Sequence, residues 1–240
     1  MRIRLTIEYD GTPFRGWAAQ PGQPTVEAAV RAALEETFAS VARVAVAGRT
    51  DTGVHALGNV VTADVDGGPP LERAAAALNT RLPDEISVVA ADEAAPDFHA
   101  RHSATARSYR YRIFTRATTS PFELRRSWWL PHPLDLDALS AAAALLPGDH
   151  DFRAFTPAQT QHQVFVRTVE RAEWIRRGDH LDFEITAVSY LRHMVRTLVG
   201  TMVDGLDLAP LLAGADRAAA GQTAPPWGLY LVAVRYPPRR

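Results

Sequence analysis

The chain has 240 residues, 47% hydrophobic and 22% charged, with a formal net charge of -1, which suits a soluble globular protein of one large domain or two intimate ones. It contains no Cys, so thiolate catalysis, Cys-ligated metal and disulfide scaffolding are excluded. It contains no Lys either, which removes Schiff-base chemistry and the phosphate-loop lysine and leaves 26 arginines, each a planar, permanently charged fork suited to phosphates and carboxylates.

The opening MRIRLTIEYDG alternates, with Ile3, Leu5, Ile7 and Tyr9 on one face, and reads as a half-buried strand over 2–9 rather than a secretion signal. A Gly/Pro-rich loop, GTPFRGWAAQPGQP, follows. From Thr25, an expected N-cap, the residues Val26, Val30, Leu34 and Phe38 recur along an amphipathic helix. Strands are expected at about 43–47, 59–65 and 86–90, with a helix at about 71–82. The second half begins with an alternating strand at 107–114, RSYRYRIF, and a helix near 134–146. Two strands, RTVERAEWIRR and HLDFEITAV, meet across Gly178-Asp179, a hairpin signal. A helix is expected over 190–204 and a last strand at 228–236. No run of roughly 18 apolar residues occurs, so no membrane span is expected.

Strands and helices mix without strict βαβ alternation, so the expected fold class is α+β, with a central, largely antiparallel sheet and flanking helices. The expected division is an N-terminal half at 1–105 and a C-terminal half at 106–240, joined as one continuous unit. The two halves share a rough order of strand, helix and strands, without a residue-level repeat.

The most informative segment is AGRTDTGVHA at 47–56, between two apolar runs. A hairpin turn needs only a residue tolerant of special backbone angles, yet this one holds Arg49 and Asp51 between two glycines and two threonines. A carboxylate there can be a nucleophile, a general base or a cap for local amides. Farther along, YLRHMVRTLVG is expected to set Arg192 and Arg196 one helical turn apart, off the apolar stripe. An arginine at the margin of a largely buried helix is costly unless it finds a carboxylate. In RSYRYRIF, Tyr109 and Tyr111 share one face and arginines are expected on the other, an arrangement that suits base stacking beside phosphate contacts.

Other groups carry less. His99 and His102 have metal-ligand spacing but sit in a loop-to-strand segment without a third ligand in view. His55 is expected to shape the loop rather than act as a base. Trp128-Trp129 is read as a buried strand, and Asp149 and Asp151 as caps.

Together, IEYDG with FRGW, AGRTDTGVHA, DFHARHSATARSYRYRI, YLRHMVRTLVG and GLYLVAVRYP closely resemble the tRNA pseudouridine synthases of the TruA family, in order and along nearly the whole chain. The resemblance implies the pseudouridine synthase fold, two halves around an RNA-binding cleft, and conversion of uridine to pseudouridine at tRNA positions 38–40 in the anticodon arm. It implies that Asp51 starts cleavage of the glycosidic bond, that Tyr109 stacks on the target base, that Arg196 pairs with the aspartate, and that Arg49 helps hold or replace the flipped nucleotide. Arg15, Arg107 and Arg110 are candidates for further RNA contacts. A homodimer in the cytoplasm is implied as well. Two departures stand out, GWAAQ where relatives more often have a polar residue after Trp, and a surface without lysine.

The chemistry agrees. Uridine becomes its C5-glycoside when the base detaches, rotates and rejoins through carbon, so no atoms or electrons are exchanged and neither cofactor nor metal is expected. An ionised Asp can attack C1′ or take the C2′ proton, and an arginine partner favours its ionised form on either route. A base inside a stem must first be flipped out, at a cost of a few kcal/mol. A non-catalytic RNA-binding protein would be expected to lack the aspartate or its arginine. A glycosidase would want a second carboxylate and would release free uracil.

Overall fold

A computed structural model describes residues 1–238. In chain order the elements are β1 (Arg2–Tyr9), α1 (Val26–Thr37), β2 (Ser40–Val46), β3 (His55–Asp66), α2 (Leu71–Asn79), β4 (Ile86–Glu93), β5 (Ala106–Phe114), β6 (Trp128–Trp129), α3 (Leu136–Ala143), β7 (Gly148–Asp151), β8 (Val166–Arg177), β9 (His180–Ala187), α4 (Met194–Val203), α5 (Leu208–Leu212) and β10 (Leu229–Arg235). The fold is α+β and its strands pair almost entirely antiparallel, the pairing of β6 with β5 being parallel. Among the described residues no helix is long and apolar enough to cross a membrane.

The chain forms two compact units, one made of Met1–Thr105 and the stretch from Leu231 on, the other of Ala106–Tyr230. In the first, β1 lies between β4 and β3, β2 pairs with β3, and β10 follows β3. The alternation read in β1 is the alternation of burial: Ile3, Leu5 and Ile7 are fully buried while Glu8 is exposed. Thr25 caps α1 through its side chain, which accepts from Ala28, and Val26, Val30, Ala33 and Leu34 form its buried stripe.

In the second unit the order is β5-β9-β8-β7, with β6 beside β5. β8 and β9 join at Gly178-Asp179, Gly178 taking the positive φ (61°) that a two-residue hairpin requires. Tyr111, Ile113, Phe152, Phe155, Leu181, Phe183 and Leu198 are buried to the last few Å².

Three expectations change. The helix expected from 190 begins at Met194, because His193 sits in the left-handed region (φ 63°, ψ -1°) and cannot belong to a right-handed helix. Arg192 therefore lies on the turn before α4 and not one turn from Arg196 on a shared helix. The Trp128-Trp129 strand exists, but it is not buried: Trp129 is 42% exposed and its indole N–H donates to the Arg116 carbonyl at 2.9 Å.

Candidate active site

Asp51 lies in the loop between β2 and β3, half-buried. Its backbone carbonyl accepts from the Val54 N–H at 3.1 Å, closing a turn over 51–54 with Gly53 at φ +76° in the third position, as a type II turn requires. That accounts for one glycine of AGRTDTGVHA. Gly48, Thr50, Val54 and His55 are gripped from outside the loop.

Residues 9–17, at the end of β1 and just beyond, form a cradle. The Tyr9 hydroxyl lies 2.8 Å from Thr50 Oγ1 and accepts from Asn59 Nδ2 at 3.2 Å, which leaves its single proton for Thr50. Asn59 Nδ2 also donates to the Gly48 carbonyl at 2.9 Å, and its Oδ1 accepts from the Val60 N–H at 2.9 Å. Each side of the amide is therefore used, which is what a fully buried Asn requires. Burial pushes the Tyr9 phenol up to about 12, against the opposing pull of its Thr50 and Asn59 hydrogen bonds, so it remains a neutral donor at ordinary pH. From the other side the Trp17 N–H donates to the Thr50 carbonyl at 3.0 Å.

Backbone meets backbone at two glycines here. A side chain on Gly16 would lie 2.9 Å from the Thr50 carbonyl oxygen and 3.2 Å from the Asp51 carbonyl carbon. One on Gly11 would lie 2.0 Å from the Val54 carbonyl oxygen. The blocks IEYDG, FRGW and AGRTDTGVHA are thus parts of one construction. His55 completes it: buried, it accepts at Nδ1 from the Gly11 N–H (3.1 Å) when neutral, and lies 3.1 Å from an Asp10 carboxylate oxygen that Nδ1 reaches when protonated. It shapes the loop, as expected. Arg49 and Arg15 are exposed, Arg49 next to Thr50 and Arg15 next to Gly16.

The second unit holds Tyr109, Arg107, Arg110 and Arg196. β5 pairs with β9 in unbroken register, so Arg107, Tyr109 and Tyr111 point one way and Arg110 and Arg112 the other. Arg107 thus shares the tyrosine face, contrary to the expectation that the arginines lie opposite it. It is nearly buried and donates to the Val188 carbonyl at 2.9 Å. Arg110 stands directly across from Glu184 and binds it at 3.0 Å, and Arg112 stands across from Asp182. Arg177 joins both carboxylates, at 2.7 Å to Asp182 and 3.0 Å to Glu184, so this face of the sheet is a cross-strand ion-pair network.

Tyr109 is half-buried and meets Tyr190 edge-on, centroids 4.8 Å apart at 76°. The Tyr190 hydroxyl shares its one proton between the carbonyls of Arg107 (2.9 Å) and Ile185 (3.1 Å), the latter belonging to the residue opposite Tyr109. Arg196, in the first turn of α4, donates through Nε to the Ala224 carbonyl at 2.8 Å.

Elsewhere, His99 Nδ1 accepts from the backbone N–H groups of Arg101 (3.0 Å) and His102 (3.3 Å), a local turn. Asp151 caps the Arg153 N–H at 2.9 Å, and Asp149 accepts from the Thr168 hydroxyl at 2.6 Å.

A family model for tRNA pseudouridine synthase matches residues 5–103 and 142–237. The chain belongs to the tRNA pseudouridine synthase family. Among its relatives, the tRNA pseudouridine synthase A of Rhodopseudomonas palustris (strain HaA2) is 44% identical, over 98% of this chain and 99% of the relative. That of Rhodospirillum rubrum is 41% identical, over 99% of this chain and 88% of the relative. That of Halalkalibacterium halodurans is 40% identical, over 95% of this chain and 90% of the relative. In this tRNA pseudouridine synthase the loop that carries Asp51 is fastened through the Gly48 carbonyl, Thr50 and the Asp51 backbone carbonyl.

Tyr9, Asn59, Gly11 and Gly16 belong to the site without being among the residues expected there. Asn59 had a signal, a lone amide within the apolar run of β3. The glycines lie in the family-like blocks IEYDG and FRGW, which mark them without showing what backbone they approach.

Proposed function

We propose that this chain isomerises uridine to pseudouridine at positions 38–40 of the tRNA anticodon arm, with Asp51 as the residue that begins glycosidic cleavage. The observation that carries the reading is the GRTD-x-GVH turn, held by its neighbours' backbone in a chain of this family. Asp51 either attacks C1′ or removes the C2′ proton; both use the ionised carboxylate, and Arg196 is its partner. Tyr109 stacks on the flipped base, an interaction of roughly 1–3 kcal/mol. Arg49 holds the nucleotide and Arg15 contributes to the RNA contacts, while Arg107, nearly buried with its guanidinium donating to the Val188 carbonyl, contributes a smaller share. Arg110 stays among the RNA contacts with a smaller share, since its guanidinium is engaged by Glu184 on the strand face opposite Tyr109. The reading includes a homodimer acting in the cytoplasm, and no cofactor.

The test is tritium release from tRNA labelled at uridine C5. Each C5-glycoside formed loses that hydrogen, so release in step with pseudouridine at 38–40 is expected. Free uracil would point to hydrolysis instead, and binding without release to a non-catalytic RNA-binding protein. Because every cation is a phosphate-matching guanidinium, tRNA affinity is expected to fall roughly tenfold or more between about 50 and 200 mM salt. A flat titration by filter binding would contradict that contact mode.

A further inference from the structure

Residues 221–228, GQTAPPWG, form a strap whose first four residues are each hydrogen-bonded to α4 or its C-cap Asp204. The Gly221 N–H donates to Thr201 Oγ1 at 3.1 Å, and the Gln222 N–H and side-chain amide both donate to Asp204, at 3.0 and 2.9 Å. Thr223 Oγ1 lies 3.2 Å from Thr197 Oγ1. Ala224 and Arg196 are joined twice: the Ala224 N–H donates to the Arg196 carbonyl at 3.1 Å, and Arg196 Nε donates back to the Ala224 carbonyl at 2.8 Å. Gly200 makes the approach possible, since a Cβ there would lie 1.9 Å from the Gln222 carbonyl oxygen.

The strap is held from its other side by Tyr111. That ring is fully buried, and its hydroxyl donates to the Pro225 carbonyl at 2.7 Å. Burial raises the phenol far above its usual range, so it stays a donor. Gly228 leaves room for the ring, which a side chain there would meet at 2.6 Å. Pro225 and Pro226 stiffen the link by fixing φ on consecutive residues. A guanidinium is rigid and planar, so tying Nε to a fixed carbonyl sets where its Nη groups point.

We propose that Tyr111 is a positioning residue for uridine isomerisation: its hydroxyl fixes the backbone at 224–225 and, through the Ala224 carbonyl, the direction of the Arg196 guanidinium. This rests on the reading of Arg196 as the partner of Asp51. Tyr109 and Tyr111 share one strand face but divide the work, the first against the base and the second behind the arginine.

Tyr111→Phe keeps the ring and its volume and removes only the donor. Misplacing a reacting group by an ångström costs up to about 100-fold, so a roughly tenfold fall in single-turnover rate is expected, with KM for tRNA changing less than about twofold. Arg196→Lys, which cannot take the same grip, is expected to lower the rate by itself, and adding Tyr111→Phe to it should cost little more, as for two residues acting through one contact. A wild-type rate per folded enzyme in Tyr111→Phe, whatever its melting temperature, would overturn the proposal while leaving the reading of Arg196 intact. So would independent, multiplying losses in the double variant. An unchanged rate in Arg196→Lys would instead sink the reading of Arg196, and the proposal with it.

Discussion

Asp51→Asn is expected to abolish pseudouridine formation, with a loss on the order of 10⁴-fold or more in single-turnover rate, while tRNA affinity and melting temperature stay near wild type. The amide has the shape of the carboxylate but can neither attack C1′ nor take a proton from C2′. The contacts that fix the loop run through Gly48, Thr50 and the Asp51 backbone carbonyl, which Asn retains. A loss confined to turnover would mean that the carboxylate acts on the reacting nucleotide rather than on the fold. The measurement is C5 tritium release beside a binding titration and a thermal melt. Release that persists in the variant would remove Asp51 from the mechanism, and a matching fall in melting temperature would reassign it to stability.

The second large effect is expected from Gly11→Ala, and it is one of stability and activity together. Gly11 does not adopt a positive φ, so its need for glycine comes from proximity alone. The added methyl would lie 2.0 Å from the Val54 carbonyl oxygen and 2.6 Å from its carbon. Overpacking usually costs about 1–3 kcal/mol, and a clash with backbone on both sides belongs at the top of that range. For a chain of this size about 3 kcal/mol corresponds to a fall of roughly 6–12 °C in melting temperature. Val54 closes the turn that holds Asp51, so the enzyme that remains folded is also expected to be slow. Gly22→Ala is the control: nothing lies within 4 Å of its added methyl, and only the left-handed backbone angle, roughly 1–2 kcal/mol, is at stake. Calorimetry of the two variants separates the causes, and equal melting temperatures would mean that the loop yields to the methyl.

Much of the architecture could be read from periodicity, because periodicity is local. Alternation in β1 predicted which of its residues are buried, the threonine before α1 is its cap, and Gly178-Asp179 turns the β8–β9 hairpin. The family, too, was legible, since its blocks lie in order along the chain and need no coordinates to be seen.

What hydropathy could not show was where α4 begins. Leu191 keeps the apolar spacing through a turn that is not helix, and the break is a backbone angle at His193. Nor could the arginines be sorted. Arg107, two residues before Tyr109, falls on the tyrosine face rather than opposite it as expected, and only pairing with β9 puts Glu184 across from Arg110. The cradle of Asp51 and the strap on Arg196 were likewise invisible, because their contacts join residues far apart in the chain: Tyr9 with Thr50, Asn59 with Tyr9, Tyr111 with Pro225, and glycines that matter only for the backbone opposite them. By itself the sequence determined the family of this chain and most of its strands and helices. The tertiary structure alone decided which side chains hold the Asp51 loop and Arg196 in place, because hydrogen bonds and close approach depend on distance in space, not on spacing along the chain.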